Sequence, residues 1–128
     1  MTERLFVYGS LMQGQSNAGM LAGARFIGPA ATTAAYTLLA LPPGYPGLRG
    51  GGATSVRGEL YTVPADLLER LDVFEGHPDL FRRGQIQLAG GATAVAYLLS
   101  PATVEAHRLA PVVLHGDWRR FAGGAGRG

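Results

Sequence analysis

The residues in this sequence with the clearest potential for chemistry are one acid, Glu75, and a turn that begins at Gly9. Glu75 follows Leu71 by four positions and Leu68 by seven, and these separations place three side chains on one face of a helix. A carboxylate that projects toward an apolar core loses solvation, which raises its pKa unless a partner compensates. An acid with a pKa near neutrality is suited to general acid–base catalysis.

The pattern also leaves three structural roles open for Glu75. Its side chain could lie one residue beyond the helix and turn into water. It could form an ion pair with Arg82 or Arg83, which follow in the sequence. It could also accept hydrogen bonds from the exposed backbone N–H groups of a loop.

The other acids are weaker candidates for catalysis. Asp66, Glu69 and Asp72 lie on the polar face of the helix or near its start. Glu59 lies in a predicted strand, where we expect its side chain to face solvent. Asp117 is predicted to be structural and to anchor a C-terminal segment.

The turn at Gly9 follows an apolar run from Leu5 to Tyr8, and residues 4–8 are predicted to form a strand. Gly9 has no side chain, so another group can approach its backbone closely. A core strand that ends in such a turn presents free backbone N–H groups, which can hold a carboxylate or a carbonyl oxygen. The alternative is an ordinary strand end with a tight turn.

The helix that carries Glu75 is the clearest element of the chain. It is predicted to begin at Pro64, which a first helical turn tolerates, and to end at Gly76. Its apolar stripe repeats at helical spacing and comprises Leu67, Leu68, Leu71 and Phe74.

The rest of the chain is predicted to consist mainly of short strands. The strand segments are residues 4–8, 24–27, 34–41, 56–63, 84–88 and 92–99. Gly28 and Pro29 are predicted to end the second strand, and Gly58 indicates a bulge or a close approach of another backbone in the fourth. Residues 42–52 are predicted to be a loop, either a pocket wall or a surface excursion. A short helical turn within residues 12–23 and a helix over residues 100–107 complete an α+β fold built on a small curved sheet or barrel.

Composition favours a single globular domain. The chain has 128 residues, of which 47% are hydrophobic and 16% are charged. We expect one domain over residues 1–121 and a flexible tail over residues 122–128.

Several classes of function are disfavoured by the same composition. The chain has no Cys, and its His residues lack metal-ligand spacing, so no thiol chemistry and no metal site are expected. The net charge is +2 and the Arg residues are scattered, which argues against nucleic-acid binding. No apolar run reaches the roughly 18 residues of a membrane span, and no signal-peptide core is present, so a cytoplasmic protein is expected.

Five motifs in order resemble the gamma-glutamylcyclotransferase-like superfamily, and together they span residues 4–121. They are L-F-V-Y-G-S-L with Gly14 and Asn17; V-R-G-E-L-Y-T-V; L-L-E-R-L-D-V-F-E-G followed by Phe81, Arg82 and Arg83; Ala96-Tyr97; and Gly116-Asp117-Trp118-Arg119.

The resemblance implies a small mixed β-barrel of about six strands with flanking short helices and a cavity at the loop after the first strand. It implies that Glu75 is the catalytic acid and base and that Tyr97 lines the pocket. It also implies that the backbone of one loop holds the α-carboxylate of a glutamyl group: Tyr8, Gly9, Ser10 and Leu11.

The reaction implied is the cleavage of a γ-glutamyl amide by attack of its own α-amine, which releases 5-oxoproline. This chemistry requires no cofactor, and the expected partner is a small γ-glutamyl compound. Many members of the superfamily have Tyr where this chain has Phe81, and residues 44–47 resemble the γ-glutamylamine branch too loosely to assign a substrate. The alternative is a non-catalytic protein of the same fold that binds a small molecule or another protein. Neither the leaving group nor the oligomeric state is predicted.

Overall fold

A computed structural model describes residues 1–125 of the chain. Its strands are β1 (Thr2–Val7), β2 (Arg25–Ala31), β3 (Tyr36–Leu41), β4 (Tyr45–Gly50), β5 (Arg57–Pro64), β6 (Phe81–Gln87) and β7 (Thr93–Leu99). Its α-helices are α1 (Ala65–Glu75), α2 (Pro101–Ala106) and α3 (Trp118–Ala125), and a 3₁₀ turn spans Ala18–Leu21.

All of these strands join one mixed sheet in the order β2-β5-β1-β7-β4-β3, and β6 pairs with the remaining edge of β7. The outer strands β2 and β6 approach each other where Thr32 and Leu88 form an isolated antiparallel bridge. The sheet is therefore curved like a barrel but is not closed. This architecture confirms the predicted α+β class with a barrel-like mixed sheet.

Strand β7 is the centre of the sheet because it has three partners. Antiparallel β6 pairs with it along its whole length. Its other edge is shared by two parallel strands, β1 where Leu5 faces Val95 and β4 where Leu48 faces Leu98. Strands β1 and β4 must therefore separate from one another along this edge.

Helix α1 has the bounds expected from its periodicity. Leu67, Leu68 and Leu71 are buried against the sheet, as predicted. Phe74 departs from the expectation, since 41% of its surface is exposed. None of the helices within residues 1–125 combines the length and the apolar character that a membrane-spanning helix requires.

The largest error of the sequence interpretation concerns residues 42–52, which are not a loop. Tyr45–Gly50 forms strand β4, which pairs antiparallel with β3 after a short turn. The glycine and proline residues of this segment are typical of loops, but in this strand they are required by packing against neighbouring elements. A Cβ atom at Gly47 would lie 2.6 Å from a methyl carbon of Leu99, so a larger residue there would force the Leu99 side chain of β7 to move.

Strand β2 also differs, because it continues through Gly28 and Pro29 to Ala31. The register with β5 shifts between Phe26 and Gly28, so Ile27 is one extra residue in β2. Since β2 lies at an edge of the sheet, a proline without an N–H group is tolerated there.

The remaining predicted elements are present with shifted ends. The predicted strands 4–8, 34–41, 56–63 and 92–99 match β1, β3, β5 and β7 within two residues at each end, and β6 begins three residues before the predicted 84. The helical turn and the second helix are confirmed, and Ser100 caps α2 by accepting a hydrogen bond from the Thr103 N–H. Helix α3 continues to Ala125, beyond the predicted domain boundary at residue 121. Residues 126–128 of the predicted tail lie outside the described residues.

The close approach predicted at Gly58 is confirmed. A Cβ atom built on this glycine would overlap the carbonyl oxygen of Val7 and the ring of Phe6 in neighbouring β1. Gly58 therefore sets how closely β1 and β5 can approach.

We expect Gly58→Ala to lower the free energy of unfolding by about 2 kcal/mol or more, because overpacking against backbone cannot be relieved by a side-chain rotation. Urea denaturation measures this change. The matched control is Gly50→Ala, since nothing lies within 4 Å of a Cβ atom at that position. Equal stability of the two variants would contradict the assigned role of Gly58.

Candidate active site

The candidate site lies where β1 and β4 separate along β7, and the Tyr8 side chain bridges that gap. Its hydroxyl donates a hydrogen bond to the Tyr97 carbonyl oxygen of β7 at 2.6 Å. It also accepts one from the Leu48 N–H of β4 at 3.2 Å. Burial, followed by the negative charge of Glu75, raises the pKa of Tyr8, so the phenol remains a donor.

The loop after β1 carries backbone donors that are not used within the fold. The N–H of Met12 bonds to the Gly9 carbonyl oxygen, and that of Asn17 to the Ser10 carbonyl oxygen. Within residues 1–125, the N–H groups of Gly9, Ser10 and Leu11 have no such acceptor. Successive free N–H groups in a turn form a concave site suited to an anion.

Gly9 allows this loop to lie against β4. A Cβ atom at Gly9 would lie 2.6 Å from Cγ of Pro46, which is closer than two unbonded carbon atoms pack. The glycine thus provides space for the neighbouring strand.

Ser10 and Asn17 add side-chain polar groups to the same loop. The Asn17 side-chain amide donates to the Ser10 hydroxyl oxygen at 2.9 Å. The Ser10 hydroxyl therefore retains a proton that it can donate elsewhere. Asn17 was noted in the sequence as part of a motif, but its contact with Ser10 was not predicted.

Glu75 is the last residue of α1, and Gly76 ends the helix directly after it. Gly76 has a φ of 69°, in the left-handed region, and its N–H bonds back to the carbonyl oxygens of Asp72 and Val73. A residue with a Cβ atom would be strained there, so the glycine fixes where Glu75 leaves the helix.

The Glu75 carboxylate is half-buried and faces a cavity. Burial raises its pKa from 4.5 to about 7, and no other group contributes to the shift. Within residues 1–125 it forms no ion pair. The ion pair with Arg82 or Arg83 that the sequence left open is absent from these residues.

Arg83 pairs instead with Asp72, one helical turn before Glu75. Its Nε lies 2.8 Å from Oδ1 of Asp72, and a second guanidinium nitrogen donates to Oδ2 at 3.0 Å. The Tyr97 hydroxyl donates to the same carboxylate at 2.6 Å. Asp72 is expected from the sequence on the polar face of α1, but its side chain is only 17% exposed because Arg83 and Tyr97 hold it.

A single cavity of about 320 Å³ brings these parts together. The Glu75 side chain and the loop lie on its wall, as does Tyr97. Its apolar walls include Tyr45, Pro46, Phe74, Leu80 and Phe81. This volume is at the lower end of the range for small-molecule sites.

Every candidate site residue from the sequence lines this cavity: Tyr8, Gly9, Ser10, Leu11, Glu75 and Tyr97. The geometry therefore unites two stretches that are far apart in the sequence. It leaves their chemical roles as hypotheses.

Comparison with known proteins defines the family. The family model described as "Gamma-glutamyl cyclotransferase, AIG2-like" matches residues 5–120. The chain belongs to the gamma-glutamyl cyclotransferase, AIG2-like family. The resemblance noted in the sequence is thereby confirmed.

Relatives in this family match the chain along most of its length. A Vibrio cholerae protein provisionally named a gamma-glutamylcyclotransferase is 38% identical over 92% of this chain and 96% of its own. Gamma-glutamylaminecyclotransferase A of Danio rerio is 36% identical over 79% of this chain and 70% of its own. The crystal structure of a mouse AIG2-like protein superposes with a TM-score of 0.72 at 27% identity, over 91% of this chain and 87% of the mouse chain.

Glu59 holds the loop after β1 through hydrogen bonds, although the sequence predicts that its side chain faces solvent. That prediction is wrong, since Glu59 is 6% exposed. Its Oε1 accepts a hydrogen bond from the Gln13 N–H at 2.8 Å, and its Oε2 accepts one from Arg119 at 3.1 Å. Arg119 also donates to the Gln13 carbonyl oxygen.

This cluster of Gln13, Glu59 and Arg119 links the loop to β5 and α3. Residues 59 and 119 are 60 positions apart, so no local pattern pairs them. The one available signal was the family motif that ends in Arg119. Asp117 of that motif accepts a hydrogen bond from the Arg120 N–H at the start of α3, and its predicted role as an anchor for the C-terminal segment stays a prediction.

We expect Arg119→Met to loosen the loop, because the Gln13 carbonyl oxygen and the Glu59 carboxylate both lose a donor. Hydrogen exchange at the hydrogen-bonded amides of Met12 and Gln13 is expected to accelerate at least about tenfold, equivalent to about 1.4 kcal/mol of local opening. Arg120→Met on the same helix is the control and should leave the exchange rates unchanged. Unaltered exchange in Arg119→Met would refute the support assigned to this cluster.

Proposed function

We propose that this protein is an enzyme that cleaves a γ-glutamyl amide by internal attack of the α-amine and releases 5-oxoproline. The observation that carries the proposal is the position of Glu75. Its carboxylate, with a pKa raised to about 7, lies on the same cavity as three backbone N–H groups, and within residues 1–125 neither the carboxylate nor these N–H groups have a partner. A base and an anion site on one small cavity are the parts that such a reaction requires.

In this proposal the loop binds the α-carboxylate of the glutamyl group. The N–H groups of Gly9, Ser10 and Leu11 supply the hydrogen bonds, and the Ser10 hydroxyl can add another. Among the described residues 1–125, no cationic side chain lines the cavity. Backbone donors therefore provide the binding energy for this anion, as they do in other anion-binding turns.

Glu75 then activates the nucleophile. The α-amine of the substrate is mostly protonated at neutral pH and is inert in that form. The Glu75 carboxylate accepts one of its protons, and the free amine attacks the γ-carbonyl carbon to form a five-membered ring. A pKa near 7 allows the same group to accept and to return a proton at physiological pH.

The protons of this reaction balance without any further reactant. The α-ammonium group begins with three protons, and the lactam nitrogen ends with one. Two protons therefore pass in turn through Glu75 to the departing nitrogen, which leaves as an ammonium ion when its bond to the γ-carbon breaks. No water is consumed.

The fold contributes to the rate by holding the reacting groups together. A glutamyl chain that is anchored at its α-carboxylate and folded within about 320 Å³ keeps its amine close to its own γ-carbonyl group. Whichever of these loop donors the α-carboxylate does not use, including the Ser10 hydroxyl, can stabilise the oxyanion of the tetrahedral intermediate. Phe81 contributes only an apolar surface to the cavity. Because it has no hydroxyl group, it cannot donate the hydrogen bond to substrate that a tyrosine at this position could donate.

We expect Glu75→Gln to lower kcat/KM by at least about 10²-fold while the protein remains folded, because glutamine cannot accept the amine proton. The assay follows 5-oxoproline released from γ-glutamyl amides of amines, amino acids and peptides. Glu69→Gln is the matched control, since Glu69 is exposed on the same helix. Full activity of Glu75→Gln would disprove the assigned role.

The same assay gives a pH profile. Glu75 must be ionised to act as a base, so kcat/KM should fall about tenfold for each pH unit below about pH 7.

The assay also tests the non-catalytic alternative. A protein of that kind would bind these amides in its cavity but release no 5-oxoproline from any of them.

A further inference from the structure

Two groups that can donate hydrogen bonds to a carboxylate lie close to Glu75. Tyr97 of β7 lines the same cavity, and burial, then Asp72, and then the charge of Glu75 raise the pKa of its hydroxyl. Arg83 of β6 pairs with Asp72, which precedes Glu75 by three positions on α1. Side chains three positions apart are neighbours on a helix surface, so the Arg83 guanidinium lies about one helical turn from Glu75.

Both of these donors are bound by Asp72. Its Oδ1 accepts from the Tyr97 hydroxyl at 2.6 Å, and Arg83 contacts its two oxygens at 2.8 and 3.0 Å. A tyrosine hydroxyl carries one proton, and the alternative acceptor for it, the Leu68 carbonyl oxygen, is farther away at 3.3 Å. With its proton directed to Asp72, the Tyr97 hydroxyl presents only lone pairs to other groups.

The other titratable groups around Glu75 come from the remaining elements of the site. Among the described residues, Tyr8 of β1 and Tyr45 of β4 also line the cavity, whereas Arg82 of β6 does not. The Tyr8 hydroxyl donates its proton to a carbonyl oxygen of β7. Nδ1 of His77, which follows α1, accepts a hydrogen bond from the β6 backbone. The charges next to Glu75 are therefore those of the pair on its own helix and on β6.

From this arrangement we propose that Asp72 is a positioning residue, which binds the Tyr97 hydroxyl and the Arg83 guanidinium and so keeps the Glu75 carboxylate free of donors. A donor that contacted the charged form of Glu75 would stabilise it and lower its pKa. The carboxylate would then accept a proton from the substrate amine less readily. The consequence for catalysis rests on the proposed function, whereas the consequence for the ionisation of Glu75 does not.

The titration of Glu75 in the Asp72→Asn variant tests the proposal without any substrate. Asparagine has a similar size but no charge to hold Arg83, and a carboxylate is a stronger acceptor than an amide or a backbone carbonyl group. The released donors should therefore turn to Glu75. By carbon-13 NMR we expect the midpoint of its carboxyl group to fall by at least about one pH unit. Asp72→Ser is expected to give the same result and replaces Asp72→Asn if that variant does not fold.

A triple variant separates the effect of the donors from the effect of the Asp72 charge itself. Adding Arg83→Met and Tyr97→Phe to Asp72→Asn removes both donors, and it removes the ion pair as a unit without net charge. The Glu75 midpoint should then return to within about half a pH unit of the wild-type value. A midpoint that stays low in the triple variant would mean that the lost charge of Asp72 caused the shift, and it would overturn the proposal.

Asp66→Asn is the matched control. Asp66 lies on the same helix and also pairs with an arginine, Arg70, at 3.5 Å, but that pair is exposed to solvent. The same substitution there should leave the Glu75 midpoint unchanged. An equal shift in both variants would show a general effect of helix charge and would refute the specific role of Asp72.

The pH profile of kcat/KM extends the test to activity. In Asp72→Asn the loss of activity at low pH should begin at least about one pH unit lower, because Glu75 stays ionised to lower pH. At pH 7, kcat/KM should fall at least about fivefold, because a base of lower pKa accepts the amine proton less readily.

The outcomes separate this proposal from the proposed function. If Asp72→Asn releases 5-oxoproline with the wild-type pH profile and the Glu75 midpoint is unchanged, the role of Asp72 is refuted and the cyclisation stands. If the midpoint falls in Asp72→Asn and returns in the triple variant, but the wild-type protein releases 5-oxoproline from no γ-glutamyl amide, the role of Asp72 stands and the proposed function fails.

Discussion

In the part of the chain that the structure describes, the Glu75 carboxylate has no partner, and the rest of the site depends on this constraint. Within residues 1–125, every buried side-chain polar atom has a hydrogen-bond partner. Asp72 and Glu59, the other acids near the site, are each held by an arginine and by at least one further donor. Glu75 alone among them has no such partner within residues 1–125, so burial raises its pKa to about 7 without compensation. An ion pair would favour the ionised form of Glu75 and lower its pKa. The carboxylate could then no longer exchange protons near neutral pH.

The cavity that Glu75 faces exists because two strands of the sheet separate from one another. Because β6 occupies one edge of β7 completely, β1 and β4 must share the other edge, and they separate where β1 ends. Ligand sites in sheets with parallel strands favour such points, beyond the carboxyl ends of the strands. The Tyr8 hydroxyl spans the separation and holds its width. Glu75 and the loop after β1 can therefore face each other across a cavity that packed side chains do not fill.

The parts of the fold that the sequence could predict are those that depend on residues close together in the chain. The leucines at helical spacing and the glycine at its end defined α1, and they placed Glu75 correctly at its last turn. The pocket itself was predictable only through motifs in a family order, because residues 9 and 75 are joined by tertiary structure alone. Strand β4 and the burial of Glu59 were missed for the same reason. Gly47 reflects the proximity of Leu99, and Glu59 is stabilised by Arg119, a residue from the opposite end of the chain.

The most direct test of this account is the ionisation of Glu75 itself. A carbon-13 NMR titration of the glutamate side-chain carboxyl groups, with the Glu75 signal identified by its loss in Glu75→Gln, reports this pKa without any substrate. The account predicts a midpoint at about pH 7 for Glu75. A midpoint near the ordinary value of 4.5 would mean that the carboxylate is solvated or paired, and it would contradict the central claim.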